Sequence, residues 1–267
     1  MLWKLIRFCP IVLTGAWLLG SQPAAADWDY RVGVLSAWHE VSERDGSEKL
    51  VEEDGLLTGL VGALSHTTGV WRYGVDAKAL RASLDYDGAT QFGAPLETNT
   101  DWQHWRIGTF VDRRVPAPLP THIGVGLEYE WRDREIESTP AAPGLEETYR
   151  TVWIGARATF APMKSTTFEL HVACAIDSTV DVAFASNLDR ATLEAEDHCR
   201  ASVASTMSVG RIGTARLFLR PFANWERYPR TKPEQLTSGG IEVGQVYLPE
   251  TEFISLGITI GLHGQRD

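Results

Sequence analysis

Only three cysteines occur in the 267 residues, and one of them, Cys9, lies among the first 26. So few thiols exclude a small disulfide-scaffolded fold and cysteine-rich metal modules. HExxH, CxxC, GxSxG and a Gly-rich phosphate loop are all missing, which removes the usual zinc-hydrolase, thiol-redox, serine-hydrolase and nucleotide-binding signatures. Positive charge is in short supply: 25 Lys and Arg against 35 Asp and Glu leave −10 at pH 7. Nucleic acid is therefore not an expected partner, because phosphate backbones need clustered basic side chains. No stretch beyond residue 26 approaches the ~18 uninterrupted apolar residues of a membrane helix. The mean hydropathy of −0.16 resembles that of a soluble protein. That comparison has force only against helical membrane proteins.

What the chain does have begins with an address. Lys4 and Arg7 precede an apolar stretch through Leu19, and Ala24-Ala25-Ala26 stands before Asp27. A basic n-region, a short h-region and a small-residue cleavage site predict a secretory signal peptide over 1–26. Its removal takes away two positive charges and no negative one, moving the net charge from −10 to −12. An N-terminal anchor is the competing reading, but the apolar run is too short to span a bilayer.

The rest of the chain has a hydrophobic period of two. Ile123, Val125, Leu127, Tyr129 and Trp131 alternate with Gly124, Gly126, Glu128, Glu130 and Arg132. Ile254 to Leu262, Phe168 to Ile176 and Trp71 to Ala77 repeat the pattern. Noisier versions occupy about 28–40, 56–64, 102–115, 149–160, 200–209 and 215–226. Ten strands are expected, each longer than the usual ~5–6 residues and long enough to cross a bilayer at a tilt. Short connections at 65–69, 116–120, 161–165 and 210–214 alternate with long polar ones at about 41–55, 87–101, 133–148, 178–199 and 227–251. Trp and Tyr gather near strand ends, where an amphipathic ring meets both lipid and water.

These features resemble bacterial outer-membrane β-barrel proteins, and the likeness covers 27–263. It implies an all-β, closed antiparallel transmembrane barrel over 27–267, with short periplasmic turns and five long extracellular loops. Ten strands is the leading count. Twelve or eight are the alternatives, since 179–185 and 241–248 read either as strand extensions or as an extra pair. A periplasmic β-sandwich explains the alternation but not the loop asymmetry. The final strand is similar to the C-terminal assembly signal of the class, though it lacks a terminal Phe. The resemblance further implies a location in the outer membrane of a Gram-negative-type envelope. The implied partners are outer-membrane lipid and lipopolysaccharide, the barrel assembly machinery and periplasmic chaperones.

If the apolar parity faces lipid, the other parity faces the lumen. It carries Arg72, Asp76, Lys78, Arg106, Asp112, Glu128, Glu130, Arg132, Glu169, His171, Arg216 and Arg220, with Arg157, Asp177, Arg200 and Glu226 in the same phase. Signs are interspersed, so a single-sign selectivity ring is not expected. Instead these groups are expected to form a salt-bridged network that plugs the narrow lumen, a hydrated small pore being the alternative. Asp85 with Asp87, and Asp197 with His198, are candidates for activating a water. Omptin proteases are similar in using an Asp pair and an Asp-His pair at corresponding loops, although there one residue separates the Asp from the His. Turn-forming Asp and solvated acidic loops are the competing explanation. Acidic groups at 52–54 and 194–197 lack EF-hand spacing, and no metal or other cofactor is expected. Cys174 and Cys199 flank one long loop symmetrically, which suggests a disulfide in an oxidising compartment, against two separate thiols. The function expected is that of a small porin-like or structural surface protein. An omptin-like or lipid-modifying barrel enzyme, and an adhesin or receptor with acidic loops, are the alternatives.

Overall fold

A computed structural model of the chain describes residues 27–89, 95–140, 142–195 and 197–266. The expected signal peptide lies outside them. The strands are β1 (Asp27–Asp45), β2 (Glu48–Thr68), β3 (Trp71–Ala89), β4 (Pro95–Val115), β5 (Thr121–Ile136), β6 (Leu145–Met163), β7 (Thr166–Phe184), β8 (Ala191–Glu194), β9 (Cys199–Ile212), β10 (Ala215–Tyr228), β11 (Glu234–Ser238), β12 (Ile241–Val246) and β13 (Glu250–Arg266). Ten of them run antiparallel around a closed barrel, β1 to β7 followed by β9, β10 and β13, and β13 pairs back onto β1 from Trp28↔Arg266 to Arg44↔Glu250. Closure leaves no sheet edge to template aggregation. The strand count is thus ten. Residues 179–182 lengthen β7, where they pair with β8, and 241–246 form half of a separate β11–β12 hairpin.

Outward positions explain the period of two. Val32, Val34, Leu60, Val75, Ile107, Val125, Leu127, Ile154, Val172, Val203, Leu256 and Ile260 are all exposed, in a belt around the barrel. An apolar surface of that extent is stable only against lipid. On β1 it runs from Trp28 to Trp38, the length a tilted strand needs to cross a bilayer. Trp28, Tyr30, Trp71 and Tyr73 ring its turn end, and Trp38, Trp105, Tyr129 and Trp225 ring its loop end, all of them exposed. Tight turns close the first of these ends. Gly69 and Gly213 sit there at φ of 58° and 60°, a left-handed backbone that side-chain-bearing residues resist.

The strands do not stop at the belt. Segment 41–55, expected as a loop, is hydrogen-bonded hairpin except for a turn around Gly46. Above the belt the solvent reverses sides. Glu40, Ser42 and Arg44 follow the outward parity, whereas Val41 points inward and is fully buried. Two aromatics expected in the girdles, Trp102 and Tyr149, belong to this inner set and are almost fully buried. Asp177 also departs from expectation. The register shift at Val152/Trp153 inserts an extra residue into β7, and a bulge of that kind turns Asp177 outward.

Candidate functional site: a charged lumen under an aromatic plug

The inward side chains are stacked in layers. Nearest the turn end, Arg72 donates from Nε and Nη2 to Asp112 at 3.0 and 2.5 Å, and also reaches the Thr159 hydroxyl at 3.1 Å. Arg157 approaches the other Asp112 oxygen at 3.3 Å and stacks on Phe110, 3.8 Å from the ring centre. At the waist, Glu169 accepts from Arg31 at 2.9 Å and from Arg220 at 3.0 Å. Three strands far apart in sequence, β1, β7 and β10, are tied together by that one carboxylate.

The next layer lies level with the loop-end girdle. Arg106 bridges Asp76 at 2.8 Å and Glu128 at 3.0 Å. Arg200 donates to both Glu128 and Glu130, and Arg132 pairs with Glu130 and, at 2.5 Å, with Glu226. His171 and His104 approach Glu128 and Glu130 at 3.2 and 3.4 Å. Glu128 and Glu130 each have three cationic or imidazole neighbours, and Asp76 and Glu226 one each. That arrangement is what keeps ionised groups affordable away from water, because removing one partner strands the other. Lys78 and Arg216 point inward like the rest but form no ion pair within 4 Å among the described residues; Lys78 lines the cavity of this level and Arg216 one nearer the turn end.

Above the belt the interior is apolar. Val41, Leu84, Trp102, Tyr149, Val180, Val182, Leu193, Tyr228, Leu248 and Phe253 form one buried cluster. Its rings meet across the barrel rather than along a wall. Trp102 on β4 lies 5.8 Å from Phe253 on β13 with the planes at 86°, and Tyr149 on β6 lies 6.3 Å from the same ring. Tyr228 packs edge-on against both, at 5.6 and 5.8 Å. Edge-to-face contact at these separations is the packing that aromatic rings favour.

A last polar layer sits on top of the plug. Arg134 donates to Glu43 at 2.5 Å, to Glu147 at 2.8 Å and, through Nε at 3.0 Å, to Glu53. Glu53 also accepts from Trp102 Nε1 at 2.9 Å and from Thr100 at 3.2 Å, and Glu147 from the Tyr149 hydroxyl at 2.7 Å. All four charged groups are buried. Desolvation lifts the Glu43 carboxyl above its usual range against the pull of Arg134. Burial likewise raises the Tyr149 hydroxyl well above 10 and pushes that of Tyr86 up to about 12. Sequence reasoning missed this cluster. Glu43, Glu53, Arg134 and Glu147 all lie in segments expected to be solvated loops, and only a continued strand parity past the belt would have placed them together.

The candidate water-activating residues are not brought together. Asp85 and Asp87 are exposed on the outer face of β3, and Asp197 is exposed next to β9. His198 is buried, its ring 3.8 Å from that of Tyr228 and 4.9 Å from that of Trp153. In the ten-strand ring β3 and β9 are five strands apart by either route, on opposite walls. Within the acidic run 52–54, Glu53 is consumed by Arg134, and no cluster with metal-ligand spacing occurs among the described residues. Cys174 and Cys199 face each other in the β7–β9 register on the outward side, and a disulfide joins them.

No protein-family model matches the chain. No curated protein sequence matches it either. Among solved structures it is similar to the outer membrane protease OmpT of Escherichia coli, at 13% identity and a TM-score of 0.59, over 94% of this chain and 99% of that one. The translocator domain of the autotransporter NalP from Neisseria meningitidis aligns at 9% identity and a TM-score of 0.44, over 90% of this chain and 88% of that one. OprG of Pseudomonas aeruginosa aligns at 10% identity and a TM-score of 0.40, over 91% and 96%. Identities so low speak to architecture alone. Taken with the closed ring and the lipid-facing belt, the likeness to OmpT places the chain, by fold, with the bacterial outer-membrane β-barrel proteins.

Proposed function

We propose that this chain is a sealed structural surface barrel of the outer membrane rather than a porin. A cleavable signal peptide over 1–26 delivers it to the periplasm. The barrel assembly machinery, fed by periplasmic chaperones, inserts it with the four short turns and both strand termini on the periplasmic side. Outer-membrane lipid contacts the apolar belt, and lipopolysaccharide meets the loop-end girdle. Beyond the membrane the strands continue as a rigid stalk, and acidic hairpins crown it.

The observation that carries this reading is the aromatic plug. Rings from β4, β6, β10 and β13 touch across the lumen within 5.6–6.3 Å, directly above a layer of paired charges. A solute descending from the loop end would have to part an apolar core and then a salt-bridged one. Support against an enzyme of the omptin kind comes from the facing of these side chains: Asp85 and Asp87 are exposed on the outer face of β3, whereas His198 is buried inside against Tyr228 and Trp153. Proteoliposomes holding the purified barrel test the sealed reading by swelling in arabinose. Swelling no faster than in protein-free vesicles is expected, and sugar entry that scales with protein would contradict it.

A further inference from the structure

Beneath the plug lies a cavity of about 230 Å3, walled by residues of nearly every barrel strand. By the measure that one enclosed water needs roughly 10–15 Å3, it has room for on the order of fifteen waters or one small organic molecule. Its lining is chemically mixed. Leu35, Leu57, Leu80 and Phe222, on β1, β2, β3 and β10, make an apolar wall. Much of the remaining lining is ionic. Counting the whole lining, seven Arg and Lys side chains meet four carboxylates, those of Asp76, Glu128, Glu169 and Glu226. Glu130, held behind the wall by Arg132 and Arg200, reduces the surplus of positive charge from three to two.

The surplus coincides with unused donors. Lys78 extends into the cavity with no carboxylate of the described residues within 4 Å. The buried Nε atoms of Arg106, Arg132 and Arg220 have no acceptor among the described residues, and Arg132 is nine-tenths buried. An ammonium withdrawn from bulk water and left unpaired is costly, as are buried guanidinium N–H groups without acceptors, so such a surplus is relieved by an anion. The apolar wall lies within the same cavity and asks for a body without charge.

We infer that this cavity is a binding site for a small amphipathic organic anion, its acidic group held by Lys78 and the neighbouring guanidinium groups and its apolar body laid against Leu35, Leu57, Leu80 and Phe222. The plug closes the route from the loop end. A second cavity of about 160 Å3 adjoins on the turn side and shares Arg31, Ala63, Phe110, Glu169 and Phe218 with the first. The ligand therefore enters from the turn end, past the Arg31–Glu169–Arg220 waist.

Octanoate serves as the probe. Purified barrel in lipid nanodiscs is dialysed to equilibrium against labelled octanoate at pH 7.5, with empty nanodiscs subtracted, and octanol and inorganic phosphate are run in parallel. Saturable binding at one octanoate per barrel is expected, with neither octanol nor phosphate competing at equal concentration. Lys78→Met keeps the side chain's length, removes its charge and should weaken binding about 10- to 100-fold, the range of a charge-assisted hydrogen bond. Lys78→Arg should retain it. Ala63→Phe, which fills the junction of the two cavities and leaves every charge in place, should also abolish it. Heat-modifiable migration on gels verifies that each variant is a folded barrel. Binding no greater than to empty nanodiscs would overturn the inference, as would equal affinity in folded Lys78→Met. Competition by phosphate as strong as by octanoate would overturn the amphipathic class.

Discussion

Replacing Arg134 by Met tests the layer above the plug most sharply. Among the described residues the guanidinium is the single cation bonded to Glu43, Glu53 and Glu147, each of them buried. Met fills similar volume but leaves three carboxylates without it. Glu53 keeps Trp102 and Thr100 as donors, and Glu147 keeps Tyr149; Glu43 keeps no side-chain donor among the described residues. Stranding one member of a buried ion pair costs about 3–5 kcal/mol, and the surviving donors hold the expected loss within that range despite three carboxylates. The loss must depend on pH. In the wild type Glu43 already titrates above its ordinary value of 4.5. An acid with a raised folded pKa binds its proton more tightly in the fold, so stability falls as pH rises from about 4.5 through the folded pKa. Without Arg134 the Glu43 carboxyl rises further, and that fall extends to higher pH. Urea unfolding from pH 5 to 8, followed by Trp fluorescence, reads both effects. Adding Glu43→Gln, Glu53→Gln and Glu147→Gln to Arg134→Met should restore most of the lost stability and flatten the pH profile. An unfolding midpoint for Arg134→Met equal to wild type at every pH would refute the reasoning.

Other expectations follow from the same layers. Val34 faces lipid near mid-belt, so Val34→Arg should cost about 2–4 kcal/mol in unfolding within bilayers, whereas Glu40→Arg above the belt should cost close to none. Cys174 and Cys199, bonded across 25 positions of sequence, should resist alkylation until reductant is added, and labelling without reductant would contradict the bond. Reduction should lower stability by on the order of 3 kcal/mol on the chain-entropy model. Cells displaying the barrel should cleave a basic peptide no faster than cells without it. A cleavage lost on Asp85→Asn would instead put Asp85 in a working site.

The membrane belt was legible in the sequence because each strand there separates lipid from polar lumen, and Ile123 to Arg132 or Ile254 to His263 write that separation as clean alternation. The ring of connections, short at one end and long at the other, was legible for the same reason. What lay above the girdle was not. There water replaces lipid outside and apolar packing replaces charge inside, so the alternation inverts: on β1 the apolar residue switches from even positions such as Trp38 to odd ones such as Val41. A reader of period two sees the pattern end and writes a loop. The inversion also hid the plug, since Trp102 and Tyr149 sit near expected strand ends and look like girdle residues. The disagreement at Asp177 has a different origin, a one-residue bulge that composition does not announce.

Current through a single barrel in a planar bilayer tests the central claim most directly. The wild type should show no stable open level under applied voltage, because Trp102, Tyr149, Tyr228 and Phe253 meet across the lumen. Paired truncation, Trp102→Ala with Phe253→Ala, removes the two rings that approach to 5.8 Å and should introduce flickering conductance while the barrel remains folded. Steady openings of the unaltered protein, as large as those of the truncated one, would contradict the sealed barrel.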